Sequence, residues 1–413
     1  MEVAAHGAVD DAVDVAIVGG GLVGASLALG LRDTPLRVAL IEAASPPSGE
    51  ARWDERCIAL NHASHRIFDA LGVWSALAPH ATPIRSTHIS ERGRFGVARF
   101  AAGEAGLEAL GYNLPVRVLG ETLLRRAAAL PNVAMLCPAA LQALEPGGDA
   151  NALSLRLDGE RRVRARLVVA ADGMDSAVRR QLGIDAERRD YEQSAIVTAV
   201  RVTRPSDGCA YERFTPDGPI ALLPKPGDAC SLVWTTPAES LRERLAWSDE
   251  EFLAQAQAAF GERLGRFTAL GRRQSWPLSR VVSARLTAPR TVFVGNAAQS
   301  LHPVAAQGFN LGLRDVATLA ERLAAQVREP SDADPGAAAL LAEYETLRGR
   351  DRLRTADFTD QLVRLFSNRV PGLGGLRHLG LLALDLAPPL KDAMLWQNLG
   401  YGGGAPRMAR EPA

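Results

Sequence analysis

The sequence predicts an α/β fold in which a domain with a parallel sheet is interrupted by a second, β-rich domain and followed by a helical C-terminal tail. Three observations lead to this prediction. A β-branched run at 13–18 passes through a glycine-rich turn into a helix, and short apolar strands return at 167–171 and 291–294. Strand-like runs separated by turn residues fill 191–276. Because buried strands lie on both sides of that stretch, the first domain is discontinuous in sequence.

The composition is that of a soluble, enzyme-sized protein. The chain has 413 residues, enough for two or three domains, with 47% apolar and 23% charged residues. Lysine plus arginine and aspartate plus glutamate both number 47, so the formal net charge is zero. This balance, with only 5% aromatic residues, argues against nucleic acid as a partner.

The cysteines and the N-terminus predict a cytoplasmic protein without a metal site. Four cysteines without paired spacing favour reduced thiols; they are Cys57, Cys137, Cys209 and Cys230. Residues 1–12 lack the basic and apolar regions of a signal peptide. No stretch reaches the roughly 18 uninterrupted apolar residues of a spanning helix.

The elements follow from periodicity. The strand at 13–18 is followed by a helix at 25–32, which Pro35 ends, and by a strand at 37–42. The other predicted elements are helices at 67–77, 121–130, 311–327, 344–366 and 376–396, and strands within 84–100 and at 194–202, 220–223 and 231–235.

The glycine-rich turn carries the first chemical signal. Gly19, Gly21 and Gly24 have the G-x-G-x-x-G spacing. In this motif the first glycine allows a tight turn, the second lets the backbone approach a pyrophosphate, and the third lets helix and strand pack closely. The motif therefore predicts a dinucleotide-binding turn.

The surrounding residues strengthen this interpretation. Leu22 and Val23 begin the helix, whose free N–H groups and positive dipole end attract phosphates. Glu42 ends the next strand, where a carboxylate can accept ribose hydroxyls and disfavours a 2′-phosphate. These features do not distinguish FAD from NAD.

Two later segments resolve that ambiguity. Asp172 and Gly173 follow the strand at 167–171. Residues 295–303 read Gly-Asn-Ala-Ala-Gln-Ser-Leu-His-Pro, and the long helix opens with Gln-Gly-Phe-Asn at 307–310. In this order the segments closely resemble the FAD-dependent aromatic hydroxylases of the p-hydroxybenzoate hydroxylase type. The resemblance implies a discontinuous Rossmann-type FAD domain with an inserted β-sheet substrate domain.

Within that family the chain resembles the ubiquinone-biosynthesis hydroxylases. Residues 54–60, Asp-Glu-Arg-Cys-Ile-Ala-Leu, are similar to their Asp-x-Arg-x-x-Ala-Leu segment. Asn296 stands where the wider family commonly has Asp, and Gln299 where it has His. This departure is typical of the 2-octaprenyl-6-methoxyphenol hydroxylase branch. Asparagine can still accept a hydrogen bond from a ribitol hydroxyl, so FAD binding should survive.

The resemblance also implies which residues meet the cofactor. It puts the Asp-Gly pair near the pyrophosphate, the segment from Gly295 near the ribitol, and the helix start at the flavin pyrimidine ring. Arg56 would clamp a phosphate or help receive the nicotinamide, unless it is a surface arginine, and Arg117 precedes the helix predicted at 121–130, where relatives place a flavin contact. The residues predicted to bind FAD are Gly19, Gly21, Leu22, Val23, Gly24, Glu42, Arg56, Arg117, Asp172, Gly173, Gly295, Asn296, Pro303, Gly308, Phe309 and Asn310.

The implied chemistry is that of a flavin monooxygenase. NADH or NADPH would reduce FAD, O₂ would add at flavin C4a, and the resulting hydroperoxide would hydroxylate an electron-rich phenol and release water. N–H groups at the helix start would stabilise negative charge on the reduced flavin. No residue is assigned as a catalytic acid or base, and a structural role is favoured for His302. The predicted flavin-face loop comprises His302, Pro303, Gln307 and Gly308.

The predicted substrate is a polyprenyl-methoxyphenol of ubiquinone biosynthesis, with O₂ as co-substrate. Three alternatives stay open: a sister hydroxylase acting at another ring position, a flavin-dependent reductase of prenyl chains, and a non-catalytic FAD-binding subunit of a hydroxylase complex. The predicted segments are FAD-binding parts at 12–82, 113–185 and 281–345, substrate-domain parts at 83–112 and 186–280, and a helical region at 346–413.

The apolar segment 379–387 fits a core or interface helix. Since a polyprenyl phenol dissolves in membranes, the segment also raises the hypothesis of peripheral contact with the inner membrane surface or with a ubiquinone-biosynthesis complex.

Overall fold

Three sheets organise the chain in the computed structural model, which describes residues 11–44, 56–148, 150–302, 307–327, 333–366 and 387–410. The first sheet has eight strands: β1 (Asp11–Val18), β2 (Val38–Ile41), β8 (Val133–Leu136), β9 (Leu141–Pro146), β10 (Leu153–Leu157), β11 (Arg162–Ala170), β18 (Thr287–Ala288) and β19 (Thr291–Phe293). Their order is β18-β19-β11-β1-β2-β8, and β10 and β9 extend the sheet from β11 by antiparallel pairing.

Five neighbouring strands of this sheet, from β19 to β8, run parallel. Successive residues of β1, namely Val15, Ala16 and Ile17, are fully buried, as expected of a parallel strand that is covered on both faces. The carboxyl ends of β1, β2, β11 and β19 meet at one edge of the sheet, which is where such sheets bind ligands. The buried strands predicted at 13–18, 37–42, 167–171 and 291–294 are therefore confirmed.

Three helices support this sheet: α1 (Leu22–Gly30), α8 (Gln307–Gln326) and α9 (Ala338–Phe366). α1 lies against α8, and α8 lies against α9. The hydroxyl of Tyr344 on α9 donates to the carbonyl oxygen of Phe293, 3.2 Å away, at the end of β19. α9 thus reaches the strand end from which the turn at Gly295 begins.

The second sheet has nine strands: β5 (Ser86–Glu91), β6 (Val97–Ala101), β12 (Ala186–Val202), β13 (Cys209–Thr215), β14 (Gly218–Pro224), β15 (Ala229–Pro237), β16 (Phe267–Leu270), β17 (Gln274–Ser283) and β20 (Gln299–Ser300). Their order is β20-β17-β12-β15-β14-β13-β5-β6, with β16 paired to β12. The pairing is antiparallel except between β13 and β5. The antiparallel layer predicted within 191–276 is confirmed.

One face of the second sheet is closed by α6 (Leu241–Ala246) and α7 (Asp249–Phe260). Phe252 and Phe260 of α7 belong to one buried apolar cluster with strand residues whose side chains are at most 4% exposed. These strand residues include Ile196, Leu222, Leu232 and Trp234.

A third sheet of three strands, in the order β3-β7-β4, comprises β3 (Cys57–Asn61), β4 (Thr82–Ile84) and β7 (Gly111–Pro115). The nearby helices are α2 (His62–Ala70), α3 (Trp74–Leu77) and α4 (Val116–Ala128), and α5 (Ala177–Gln181) follows β11. The single helix predicted at 67–77 is wrong. α2 ends at Ala70, and Gly72, with φ of +69°, takes the left-handed conformation that ends helices before α3 begins.

The C-terminal region contributes α10 (Pro388–Asn398) and α11 (Arg407–Arg410). Leu395 of α10 and Leu399, which directly follows the helix, pack with Phe100 of β6 and Phe214 of β13. Of the helix predicted at 376–396, only the part from Ala387 onward lies within the described residues, and it is helical from Pro388. The apolar segment 379–387 lies outside the described residues except for Ala387. Among the helices of the described residues, none is long and apolar enough to cross a membrane.

Candidate active site

The glycine turn lies between β1 and α1. Gly19 has φ of +105°, and a Cβ there would overlap the carbonyl oxygen of Ala171 at the end of β11. A Cβ on Gly24 would overlap the carbonyl oxygen of Gly19. At Gly21, by contrast, a Cβ would have no atom of the described residues within 4 Å. The turn is therefore tight against the sheet and open at the N-terminus of α1, where its free N–H groups could receive a pyrophosphate.

Glu42 holds this turn from the end of β2. Its Oε2 accepts the backbone N–H of Gly20 at 2.7 Å, and its Oε1 accepts that of Ala44 at 2.8 Å. A carboxylate has further lone pairs beyond those used in these two bonds, so Glu42 can still accept a hydrogen bond from a hydroxyl group.

Asp172 closes the end of β11. Its Oδ2 accepts the backbone N–H of Val178 at 3.1 Å, whereas its buried Oδ1 has no hydrogen-bond partner in the described part of the chain. Gly173 follows with φ of +85° and open space where a Cβ would be. A buried carboxylate oxygen beside open space fits a ligand that donates a hydrogen bond.

Arg179 joins two of the predicted segments, although sequence reasoning did not select it. The guanidinium donates to the carbonyl oxygens of Ala297, at 2.8 Å, and Met174, at 2.7 Å. Arg179 is only 6% exposed, and burial lowers the pKa of its guanidinium. The sequence does show an arginine shortly after the Asp-Gly pair. Its contact with Ala297 could not be predicted, because the two residues are 118 positions apart in sequence.

The turn after β19, which begins at Gly295, is held by hydrogen bonds to the buried carboxylate of Asp315. Gly295 has φ of +57°, and a Cβ there would come within 2.9 Å of Val23 on α1. Its N–H donates to Asp315 Oδ2 at 3.1 Å, and the side-chain amide of Gln299 donates to the same oxygen at 2.7 Å. Asn296 between them is exposed. Gln299, one of the two departures from the common family pattern, therefore helps to hold the turn.

At the start of α8, Gly308 has open space beside it, whereas the side chain of Asn310 is already hydrogen-bonded within the protein. A Cβ on Gly308 would have no atom of the described residues within 4 Å, and the Phe309 ring lies 6.3 Å from that of Phe68. Asn310, which is 1% exposed, accepts the N–H of Asn61 and donates to the carbonyl of Ala59, both at 3.0 Å. Its side chain thus ties α8 to β3, a role that the sequence did not reveal.

Arg56 and Arg117 lie together at the other side of the site. The N–H of Val116 donates to the Arg56 carbonyl at 2.9 Å, and the Arg56 guanidinium carbon lies 5.0 Å from the centre of the Trp276 ring on β17. Arg117 is the second residue of α4 and pairs with Glu121 at 2.9 Å. The prediction that Arg117 precedes the helix is wrong, since α4 begins at Val116.

His302 is buried, with 1% exposure, and its ring meets that of Tyr191 edge-on with 5.1 Å between centroids. Burial lowers the pKa of His302 to about 4, so the ring is neutral at neutral pH. Tyr191 in turn donates to Asp360 at 3.2 Å. Pro303, the next residue of the predicted flavin-face loop, lies outside the described residues. Gln307, at the start of α8, is buried.

The second sheet turns one row of side chains towards this site. Residues in register across five strands are Val197, Val233, Ala221, Glu212 and Ile89, and all are partly exposed. The next row on the opposite face, which packs on α7, is buried at Ile196, Ile220 and Trp234. We call the partly exposed residues the inner row.

Two contacts show that the inner row faces the third sheet. Asn113 of β7 lies 3.4 Å from Ser231 Oγ, which is on the same face as Val233, and Arg56 stacks on Trp276, which is on the same face as Val197. Partial exposure on a face that points into the molecule means that the inner row lines an open cleft.

These residues fit FAD. Open space lies at Gly21, Gly173 and Gly308, where a bound cofactor would fit. The buried Oδ1 of Asp172 has no hydrogen-bond donor in the described part of the chain, and the strand ends that carry these groups are joined by direct contacts. Bound FAD would supply reduction of O₂ and transfer of one oxygen atom, while the cleft would hold the ring that receives it.

Comparisons with known proteins agree with this geometry. Residues 12–358 match the model of the FAD binding domain family. The chain is similar in fold to p-nitrophenol 4-monooxygenase PnpA of Pseudomonas putida DLL-E4, with a TM-score of 0.78 and 17% identity over 95% of this chain and 99% of that one. It is also similar to PqsL of P. aeruginosa, with a TM-score of 0.75 and 24% identity over 90% and 99% of the two chains.

Three relatives in sequence have names that refer to ubiquinone. The chain is 41% identical to ubiquinone hydroxylase UbiL of Rhodospirillum rubrum over 98% of this chain and 94% of the relative. It is 35% identical to 3-demethoxyubiquinol 3-hydroxylase of Escherichia coli over 94% and 98% of the two chains. The human ubiquinone biosynthesis monooxygenase COQ6 is 28% identical over 94% and 92%.

The fold and the site define a flavoprotein monooxygenase of the aromatic hydroxylase class, with FAD as cofactor and NAD(P)H as reductant. Within that class, the chain belongs to the FAD-dependent hydroxylases of ubiquinone biosynthesis.

Proposed function

We propose that the protein hydroxylates the ring of a polyprenyl-methoxyphenol during ubiquinone biosynthesis. The observation that carries the proposal is the likeness to ubiquinone hydroxylases over nearly the whole chain. The inner row supports it, because four of its five side chains are apolar and would suit a ring that carries a hydrocarbon chain.

FAD would be held by the predicted site residues at the edge of the first sheet. The N-terminus of α1 would bind the pyrophosphate, and Glu42 would bind the ribose. The turn at Asp172 would lie near the pyrophosphate, with its carboxylate accepting a hydrogen bond from a hydroxyl of FAD, and the turn at Gly295 would lie near the ribitol. The chain's own part in the reaction is to bind the phenol, orient it and keep water out.

The test is to delete the gene and identify the quinone precursor that accumulates. A polyprenyl phenol that lacks one ring oxygen is expected, and the purified holoenzyme should convert it to the hydroxylated product. Accumulation of a precursor that already carries every ring oxygen would contradict the proposal.

A second candidate function is hydroxylation of an intermediate of the same pathway at another position of its ring. It is favoured by the 35% identity to 3-demethoxyubiquinol 3-hydroxylase, which acts on a different intermediate. Locating the new hydroxyl on the product by NMR separates the two candidates.

We also propose that the protein contacts the membrane surface peripherally. Phe95, at the tip of the β5–β6 hairpin, is 96% exposed and directly follows the exposed segment that contains Arg92 and Arg94. α10, which packs on β6, exposes Leu390 and Trp396. Exposed apolar side chains beside arginines suit an anionic lipid surface.

Co-sedimentation with vesicles containing an anionic lipid tests this contact. The parent protein should sediment with them, whereas a variant with Phe95→Ser and Trp396→Ser should sediment several-fold less. Equal sedimentation of parent and variant would contradict the proposal.

A further inference from the structure

Glu212 is the one charged member of the inner row. Its strand neighbours in register are Ala221 on β14 and Ile89 on β5, so its carboxyl stands among apolar side chains. Within the described part of the chain the carboxyl makes no hydrogen bond or ion pair. A carboxyl group among apolar side chains that lacks a protein partner must find its partner in water or in a ligand.

The carboxyl also lies on the side of the sheet where the reaction would occur. Alternation along β13 puts Tyr211 on the face that packs on Phe260 of α7, and Glu212 on the opposite face. That opposite face carries Ser231 and Trp276, which contact Asn113 and Arg56 of the FAD-binding side.

We propose that the Glu212 carboxylate accepts the hydroxyl proton of the phenol while the ring is hydroxylated. The proposal rests on the proposed function, since a phenol must be the substrate. The O–H bond of the phenol breaks, its proton goes to a carboxylate oxygen, and the electron pair stays on the phenol oxygen, where it makes the ring more nucleophilic. After oxygen transfer the product oxygen takes the proton back, so Glu212 is unchanged over the cycle.

The environment of Glu212 suits this task. Burial raises the pKa of Glu212 to about 7, which brings it closer to that of a phenol than an ordinary carboxyl group is. A base works best when its pKa lies near the working pH, because it is then ionised in a useful fraction and still takes up a proton readily.

The experiment compares Glu212→Gln with the parent holoenzyme on two synthetic probes, 2-farnesyl-6-methoxyphenol and its methyl ether, which has no hydroxyl proton. Glu187→Gln is the matched control: it lies on β12 of the same sheet, and its side chain is 66% exposed. Product is quantified together with NAD(P)H consumed, and Glu212→Asp tests for rescue by a shorter carboxylate.

On the phenol, Glu212→Gln should form product about 100-fold more slowly than the parent, with FAD affinity and KM changed less than threefold, and Glu212→Asp should recover part of the rate. On the methyl ether the parent should be as slow as Glu212→Gln. Equal rates for parent and Glu212→Gln on the phenol, or an equal loss on both probes, would overturn the inference and leave the proposed function standing. A parent enzyme that hydroxylates no phenol would overturn the proposed function and this inference with it.

Discussion

The carboxylate of Asp315 on α8 accepts the backbone N–H of Gly295 at 3.1 Å, at the point where β19 turns towards the cofactor site. The same carboxylate accepts Arg348 Nε from α9 at 2.8 Å, and both side chains are 1% exposed. One buried ion pair therefore connects the position of a turn that is predicted to bind FAD to the packing of two long helices.

Replacing Asp315 with alanine should destabilise the protein strongly. The change leaves Arg348 Nε and the N–H groups of Gly295 and Gln299 without their buried acceptor, although the Arg348 guanidinium keeps its pair with Asp351 at 2.8 Å. The loss should cost about 3 kcal/mol of unfolding free energy. Urea unfolding measures this loss. Glu343→Gln is the control, since Glu343 is 52% exposed in its pair with Arg322 and should change the value by less than about 0.5 kcal/mol. A small effect of Asp315→Ala would contradict the structure.

A methyl group at Gly21 should weaken FAD binding without unfolding the protein. The described residues leave this position open, so the new Cβ would clash only with a bound pyrophosphate. We expect the Kd for FAD to rise at least about tenfold, or about 1.4 kcal/mol, at an unchanged melting temperature. Gly103→Ala, at an exposed position with equally open space, should leave both quantities as they are. Unchanged FAD affinity in Gly21→Ala would place the pyrophosphate elsewhere.

Arg179→Met should loosen the connection between the turns at Met174 and Ala297. Both carbonyl oxygens lose a charged donor, so the unfolding free energy should fall by about 1–3 kcal/mol and FAD should bind less tightly. Flavin fluorescence titration and urea unfolding together measure these changes. The neighbouring Arg180 is exposed, and Arg180→Met should retain FAD affinity. Equal affinities in the two variants would argue against a role for Arg179.

His302 should make the protein sensitive to acid. Its pKa is lowered by burial from 6.5 to about 4, so the unfolded chain takes up a proton at a higher pH than the folded protein does. The contribution to stability is complete above pH 6.5 and is lost as the pH falls towards 4, by about 2 kcal/mol at pH 5.

The variant His302→Gln tests this linkage. Unfolding free energies measured at pH 8 and pH 5 should differ less in the variant than in the parent. The half-buried His62 and the buried His88, whose pKa values are also lowered to about 4, remain in both proteins. His80→Gln, at an exposed position, controls for the loss of one histidine. The same pH dependence in parent and His302→Gln would show that His302 is not buried as a neutral ring.

Sequence reasoning succeeded where function depends on local backbone geometry. Gly19 and Gly24 lie in a strand–turn–helix pattern whose spacing determines the turn, and the buried strands have an apolar pattern that only a parallel sheet requires. The break at Gly72 was missed because the apolar positions on either side keep helical spacing. Arg179 and Glu212 were missed, and the contacts of Asn310 with Asn61 and Ala59 were not predicted, because these roles depend on strand pairing and on partners distant in sequence. Periodicity along one segment does not contain that information.

The most direct test of the central claim is the reaction of the purified holoenzyme with 2-farnesyl-6-methoxyphenol under isotopically labelled O₂. We expect the phenol to stimulate NAD(P)H oxidation, and the product to gain one labelled oxygen atom for each NAD(P)H consumed. Oxidation of NAD(P)H that needs no O₂ would instead indicate a reductase. Binding of FAD without any turnover of this phenol would show that the protein is not a hydroxylase of such phenols.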